Sequence, residues 1–168
     1  ENTGQMGAIK IHPENPDTVY VAAIGQAFQP NSELGLYKTT DGGKTWENVL
    51  FISDKIGIVD FEFSPENPDI LYAASWEVDR KPWTIISGSK AGGIYKSMDA
   101  GKSWIKLSEG LPTGNIGKID LAVTPADPNR LYALIEADQG QGGVYVSYDN
   151  GGQFKAMSHR KELVNRPF

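Results

Sequence analysis

The sequence predicts an all-β fold of three repeated four-stranded antiparallel units, and two repeated patterns carry this prediction. The first, Ser/Thr-x-Asp-x-Gly-x-x-aromatic, occurs at 39–46, 97–104 and 147–154, each time directly after a short Gly-x-Tyr strand. The second is a proline-containing turn that precedes each copy, at 12–20, 64–72 and 124–132. Repeats of this length with an Asp and an aromatic residue at the last turn are typical of β-propeller blades.

We call the first pattern the aspartate turn. Its carboxylate is placed to accept hydrogen bonds from backbone N–H groups of the turn. Its glycine supplies a positive φ, and its aromatic side chain is expected to be buried against neighbouring strands. We therefore predict a structural role for the residues of the three turns, which are Thr39, Asp41, Gly43, Trp46, Ser97, Asp99, Gly101, Trp104, Ser147, Asp149, Gly151 and Phe154.

Each repeat contains four short segments with strand character, and several alternate with period two. The aspartates of successive aspartate turns lie 58 and then 50 positions apart, which is typical of a constant scaffold with loops of different length. We predict blades at 1–52, 53–112 and 113–158, a linker toward a further blade at 159–168, and very little helix. The predicted strands are 7–11, 18–24, 35–39 and 45–50, then 57–63, 70–76, 93–97 and 103–107, and finally 117–123, 130–135, 143–147 and 153–157.

Composition excludes several classes of partner. The chain of 168 residues has a net charge of −5 and no Lys/Arg cluster, which argues against nucleic-acid binding. It has no apolar run long enough to insert into a membrane. It has no cysteine, and its two histidines show no metal-ligand spacing, so the sequence predicts neither a metal site nor a cofactor.

Three aspartate turns in phase with three proline turns resemble the Asp-box (bacterial neuraminidase, BNR) repeats of sialidase-like propellers, xyloglucan-degrading glycosidases and the sortilin (VPS10) ectodomain. With the segment 73–83, the chain looks more specifically like large bacterial sortilin/BNR-repeat proteins of the "glycosyl hydrolase" type. The resemblance implies a three-blade segment of a larger, secreted or cell-envelope propeller. Its partners would be other blades of the same protein or a second copy of this chain.

The topology of a four-stranded meander indicates where a binding site lies. The proline turns and aspartate turns fall at one end of the blades, whereas the loops between strands two and three, at 25–34, 77–92 and 136–142, fall at the other. Recognition is usually carried by variable loops on a rigid scaffold. The middle loop combines indole rings, carboxylates and cations, which suit a glycan or peptide ligand. The predicted binding residues are Trp76, Glu77, Arg80, Lys81 and Trp83.

Three functions remain open. The first is non-catalytic recognition of a ligand through the strand two–three loops. The second is a fragment of a sialidase-like or xyloglucanase-like glycoside hydrolase whose paired carboxylates lie partly outside this chain. The third is a purely architectural role. The candidate catalytic acids are Glu77, Asp79 and Glu136, whereas Asp60 and Asp120 stand at equivalent places in successive repeats and favour a scaffold role. The middle loop also has a simpler interpretation, in which its tryptophans hold the loop down and its charges form solvated pairs.

Overall fold

The computed structural model describes residues 4–26 and 31–164, and it is almost entirely β-sheet. Three antiparallel sheets follow one another along the chain, and we call them blades one, two and three. Blade one contains β1 (Gln5–His12), β2 (Asn15–Gly25), β3 (Gly35–Thr39) and β4 (Glu47–Leu50). Blade two contains β5 (Ile56–Phe63), β6 (Leu71–Lys81), β7 (Thr84–Ser87), β8 (Gly93–Ser97) and β9 (Ile105–Lys106). Blade three contains β10 (Ile116–Val123), β11 (Leu131–Ala137), β12 (Gly143–Ser147) and β13 (Phe154–Ser158), and α1 (Lys161–Val164) follows it.

The predicted four-stranded meander is confirmed in all three repeats, with the same register in each. Strands two and three begin their pairing at equivalent residues, Val19 with Thr39, Leu71 with Ser97 and Leu131 with Ser147. The Gly-x-Tyr segments form the third strand of each blade. Their alternation sends successive side chains to the two faces of the sheet.

The middle loop predicted at 77–92 is wrong over 77–87, because this segment is a β-hairpin. β6 continues to Lys81, five residues beyond the predicted strand end, and β7 pairs back onto it. Alternating charged residues hid the strand in the sequence, since no one-sided apolar pattern marks an extension that stands above its own sheet. Residues 27–30 of the predicted loop 25–34, and residues 165–168 of the predicted linker, lie outside the described residues.

The hydrophobic core lies between the blades, since each sheet packs its face against the next. One cluster joins blades one and two around Tyr20, Leu36, Ile58, Phe61 and Leu71. The other joins blades two and three, and its largest members are Tyr72, Ile94, Ile119, Leu131, Ile135, Tyr145 and Phe154. A blade therefore has two apolar faces, and each face needs a neighbouring blade to cover it.

The proline turns and aspartate turns lie at the same end of the blades, as the topology predicts. In blade one the Gly42 N–H donates to the Asp17 carbonyl oxygen at 3.0 Å. The equivalent bonds run from Ala100 N to Asp69 O at 2.8 Å and from Asn150 N to Asn129 O at 2.9 Å. Each proline turn is thus fixed to the aspartate turn of its own blade.

A tyrosine and a lysine of one blade hold the aspartate turn of the next, and we call this pair the Tyr–Lys clamp. The Tyr20 hydroxyl and the Lys38 ammonium both donate to the carbonyl oxygen of Ala100, each at 3.0 Å. The ammonium also lies 5.3 Å from the centre of the Tyr20 ring, within the range of a cation–π contact. The same arrangement recurs one blade further on, where Tyr72 and Lys96 donate to Asn150 O at 3.2 and 2.8 Å.

The start of the predicted linker returns to blade three. The His159 ring packs edge-on against Tyr145, with ring centres 5.8 Å apart, and its Nδ1 lies 3.0 Å from the Gly142 carbonyl oxygen. α1 then contacts β11 and β12. Within 4–26 and 31–164, no helix has the length and hydrophobicity needed to cross a membrane.

Candidate functional site

The carboxylates of the aspartate turns accept the backbone hydrogen bonds expected from the sequence. Asp41 Oδ1 accepts from the N–H groups of Lys44 and Thr45 at 2.9 and 3.0 Å, and from the Thr39 hydroxyl at 2.7 Å. Its Oδ2 accepts from the Thr45 hydroxyl at 2.6 Å. These bonds, that of the Thr45 side chain above all, lower the pKa of Asp41 to about 2. Such a saturated carboxylate is suited to holding a turn and not to acid–base chemistry.

The other two turns repeat this geometry. The Ser103 side chain is the first cause of the lowered pKa of Asp99, about 2, and the Ser147 side chain is the first cause for Asp149. The three glycines have the positive φ that the sequence predicts, with values of 89° at Gly43, 87° at Gly101 and 84° at Gly151.

The aromatic residues of the turns differ in burial. Phe154 is buried and Trp104 is half-buried, with its Nε1 donating to Val49 O of blade one at 2.8 Å. The prediction of burial is wrong for Trp46, whose side chain is 44% exposed. The physical reason is position: the described residues include no sheet on that side of blade one.

The hairpin separates the five predicted binding residues. Trp76 is half-buried, and its Nε1 donates to the Ser87 hydroxyl at 2.9 Å. Trp83 lies at the hairpin turn and is 81% exposed. Because side chains alternate along β6, Glu77 and Lys81 project from one face and Arg80 from the other. The structure therefore does not bring these five side chains into one cluster.

Glu136, a candidate catalytic acid in the sequence, fastens the hairpin to blade three. Its Oε2 accepts from the Ser87 hydroxyl at 2.8 Å and from the Lys118 N–H at 3.0 Å. Together with the Trp76–Ser87 bond, this makes a continuous chain from β6 through β7 to β11 and β10. The geometry favours a positioning role for this carboxylate.

A cleft of about 420 Å³ lies between the hairpin and the end of blade one that carries its strand two–three loop. Ile24, Leu34 and Ile86 give it apolar surface, and Asp79 and Lys81 form an ion pair of 2.8 Å at its edge. Both predicted acids of the hairpin line it. The full lining is Ile24, Gln26, Leu34, Asp54, Lys55, Glu77, Val78, Asp79, Lys81 and Ile86.

Sequence reasoning missed Asp54 and Lys55 as site residues. They stand in the link between blades one and two, and links lie at the same end of the blades as the strand two–three loops. That topological rule was the available signal. With them, the cleft contains three carboxylates and two ammonium groups beside apolar surface, which suits a polar ligand with hydroxyl or amide groups.

The aspartates of the inner strands serve the scaffold. Asp60 Oδ2 accepts from the Leu121 N–H of the next blade at 2.8 Å, and Asp120 pairs with Lys118 at 3.1 Å. Among residues 4–26 and 31–164, no three His, Asp or Glu side chains are grouped as they would be to hold a metal ion.

Comparison with solved structures places these sheets in a known fold. An ancestral GH74 enzyme matches 92% of the chain with 18% identity and a TM-score of 0.64, over 18% of that enzyme's length. The structure of YCF48 bound to D1 peptide matches 93% of the chain with 16% identity and a TM-score of 0.53, over 40% of its own length. The fold is a β-propeller.

One curated relative is similar in sequence. It is a probable oligoxyloglucan-reducing end-specific xyloglucanase of Neosartorya fischeri, 25% identical over 157 residues. The alignment covers 85% of this chain but 17% of the relative, so the chain spans less than a fifth of that protein. No family model matches the chain. The comparisons thus show propeller blades that are similar to segments of glycoside hydrolases.

Proposed function

We propose that this chain is a non-catalytic recognition segment of a larger Asp-box, sortilin/BNR-like propeller, and that it binds a glycan in the cleft beside the β6–β7 hairpin. The observation that carries the proposal is Trp83, whose indole is 81% exposed at the tip of a hairpin fixed by Glu136. An exposed indole on an anchored element offers a rigid, flat apolar surface and an N–H donor to a ligand.

The chemistry of the cleft supports a glycan. Glu77 and the Asp79–Lys81 pair offer hydrogen-bond acceptors and donors to the hydroxyl groups of a sugar. Trp83 lies at the hairpin turn, outside the cleft lining, where its flat indole gives a further sugar ring an apolar surface on which to stack. The similarity to a protein named as a xyloglucanase makes xyloglucan the first ligand to test. The YCF48 structure, which contains a bound peptide, makes a peptide the second.

Isothermal titration of the chain with xyloglucan oligosaccharides tests the proposal. We expect Trp83→Ala to reduce affinity at least tenfold. Tyr148→Ala should leave affinity unchanged, because Tyr148 is an exposed aromatic ring, at 50%, that lies at the opposite end of the blades. If the two variants bind alike, or if the wild-type chain binds peptides and no glycan, the glycan proposal is wrong.

A glycoside hydrolase fragment is the second candidate, and the placement of Glu77 and Asp79 on one cleft favours it. Glycoside hydrolysis needs two carboxylates on either side of the scissile bond, at roughly 5–5.5 Å for retention and 6.5–9.5 Å for inversion. Release of reducing ends from xyloglucan, lost in both Glu77→Gln and Asp79→Asn, would establish this activity. Turnover that survives both changes would place the acids elsewhere, and ligand binding without turnover would favour recognition.

The proposed location is the cell envelope or the secreted fraction, which is supported by the similarity to a protein named as a xyloglucanase. Immunoblotting of fractionated source cells checks it, and a purely cytoplasmic signal would contradict it.

If neither Trp83→Ala nor the acid variants change any binding or activity, the architectural role gains support.

A further inference from the structure

Blade one has a face that no described part of the chain covers. Ile9 and Ile11 of β1 are 69% and 60% exposed, and Trp46, which directly precedes β4 at the other edge of the sheet, is 44% exposed. We define the open face by these side chains together with Val19, Val21 and Tyr37, which lie on the same side of β2 and β3. The side chains of this sheet face are apolar like those of the core, but they are at least partly exposed to solvent.

Blades two and three show what such a face requires. By strand register, Ile9 corresponds to Phe61 and Leu121, which are both buried against the preceding blade. Trp46 corresponds to Trp104, whose indole donates to the Val49 carbonyl of the preceding blade. We therefore expect the occupant of the open face to be another blade, packed face to face as in the two interfaces within the chain.

The contacts between blades also specify what that occupant carries. A preceding blade contributes the Tyr–Lys clamp, which reaches the carbonyl of the residue after the turn aspartate, Ala100 in blade two and Asn150 in blade three. In blade one this residue is Gly42, which is exposed. It has the same left-handed conformation, with φ 72° against 57° and 58° in the other two.

The outer side of blade three offers most of these groups. Tyr132 stands at the clamp tyrosine position, and Met157, 59% exposed, stands at the position of Val49. Asp120 and Ala122 of β10 are exposed on the same side. Val146 replaces the clamp lysine, so this side supplies the hydroxyl and the indole acceptor but no ammonium group.

We propose that this 168-residue chain, taken by itself, binds a second copy, with the open face of blade one packed on the outer side of blade three of that copy. Within a larger propeller, a further blade of the same protein would take the place of the second copy. Two copies then close head to tail into a ring of six blades, a number within the usual range of four to eight for propellers. In this dimer the Tyr132 hydroxyl donates to Gly42 O and the Trp46 indole donates to Met157 O. A head-to-tail interface forms a closed ring when its rotation closes and a filament when it does not. Because Val146 stands in place of the clamp lysine, this interface lacks one of the two clamp hydrogen bonds that each blade interface within the chain has.

Sedimentation velocity over a wide range of protein concentration tests this inference. We expect a monomer–dimer equilibrium with no larger species, shifted at least tenfold toward monomer by the double change Ile9→Lys and Ile11→Lys. Ile105→Lys is the matched control, since Ile105 is exposed on the outer edge of blade two, away from both sides. Circular dichroism and thermal unfolding check that each variant is folded. A monomer at every concentration, or a dimer that the double change does not weaken, would overturn the proposal and leave the face to another partner.

A mixing experiment tests the head-to-tail arrangement. Met157→Lys blocks the blade three side alone, and the double variant blocks the blade one side alone. Each should be monomeric by itself, and their mixture should form a heterodimer because one of the two interfaces is intact. A face-to-face dimer through blade one would instead leave Met157→Lys dimeric, and this result would overturn the arrangement. Glycan titrations do not enter either test, so a failure here is separate from a failure of the proposed function.

Discussion

The Tyr20 hydroxyl of blade one donates a hydrogen bond of 3.0 Å to the backbone carbonyl oxygen of Ala100, which lies 80 residues further along the chain. Ala100 belongs to the aspartate turn of blade two, so this contact joins a strand of blade one to a turn of blade two across the interface between these blades. Burial raises the pKa of the Tyr20 phenol well above its usual value, and nearby Asp69 raises it further. The phenol is thus held neutral, as a donor to a carbonyl must be.

Removing this hydroxyl should weaken the interface between blades one and two. We expect Tyr20→Phe to lower the free energy of unfolding by about 1 kcal/mol, the usual net value of a hydrogen bond. Lys38 still reaches Ala100 O and limits the loss. Urea unfolding followed by fluorescence measures it. Tyr148→Phe, at an exposed ring, is the control, and equal stability of the two variants would contradict the role of the clamp.

The left-handed backbone at Ala100 predicts a stabilising substitution. Its φ of 57° is unfavourable for a residue with a Cβ, by about 1–2 kcal/mol, whereas glycine adopts it freely at an entropy cost of about 0.5–1 kcal/mol. Ala100→Gly should therefore raise the free energy of unfolding by about 0.5–1 kcal/mol. Blade one already has Gly42 at this position. Ala126→Gly, at a proline turn without a positive φ, is expected to stabilise nothing, and a loss of stability in Ala100→Gly would contradict the argument.

The tryptophans of the aspartate turns should differ in their contribution to stability. Trp104→Ala is expected to cost about 3 kcal/mol in the monomer, since it removes packing between blades and the bond to Val49 O. Trp46→Ala should cost less, about 1 kcal/mol there, because its side chain is 44% exposed and no preceding blade in the monomer packs on it. Thermal unfolding of dilute protein compares the two. A cost above 2 kcal/mol for Trp46 would mean that the open face is covered in the monomer.

The sequence made the blades predictable because two turn patterns recur in phase three times, and turns depend on local chemistry. The four strands of each blade followed from their spacing. Burial of Trp46 could not be predicted in the same way, since identical turns have different neighbours. A repeat predicts what a face is made of, but the adjoining blade decides whether that face is buried.

The candidate site was less predictable than the scaffold. The predicted middle loop is largely a hairpin, in which Trp76 is turned toward Ser87 while Trp83 is exposed to water. This difference arises from the hairpin, whose strand pairing depends on contacts with blade three. Asp54 and Lys55 stand in the link between blades one and two, and they line the cleft. Their place there depends on how blade one packs on blade two, which the sequence does not show.

The aspartate turns predict a pH dependence at the acid end. The pKa of Asp99 is lowered from about 3.8 to about 2 by bonds that exist only in the folded turn. A carboxyl group with a lowered folded pKa stabilises the fold above its unfolded pKa, and this stability is lost as the pH falls from about 4 through about 2. Urea midpoints measured between pH 7 and pH 2 should therefore decline less steeply in Asp99→Asn than in wild type. Asp138→Asn, on an exposed loop, is the control, and parallel curves for all three proteins would contradict the prediction.

The hydrogen bonds from Trp76 through Ser87 to Glu136 should determine how rigidly the hairpin is held. Ser87→Ala removes the acceptor of the indole N–H and one donor to the Glu136 carboxylate, each bond contributing about 1 kcal/mol. Amide hydrogen exchange should speed up at least fivefold in β7 and the paired end of β6, while β12 and β13 remain unchanged. Ser108→Ala, an exposed serine in the link between blades two and three, is the control. If the hairpin also presents Trp83 to a glycan, Ser87→Ala should lower glycan affinity, although Ser87 does not line the cleft. Unchanged amide exchange in β7 of this variant would show that the Glu136 carboxylate does not position the hairpin.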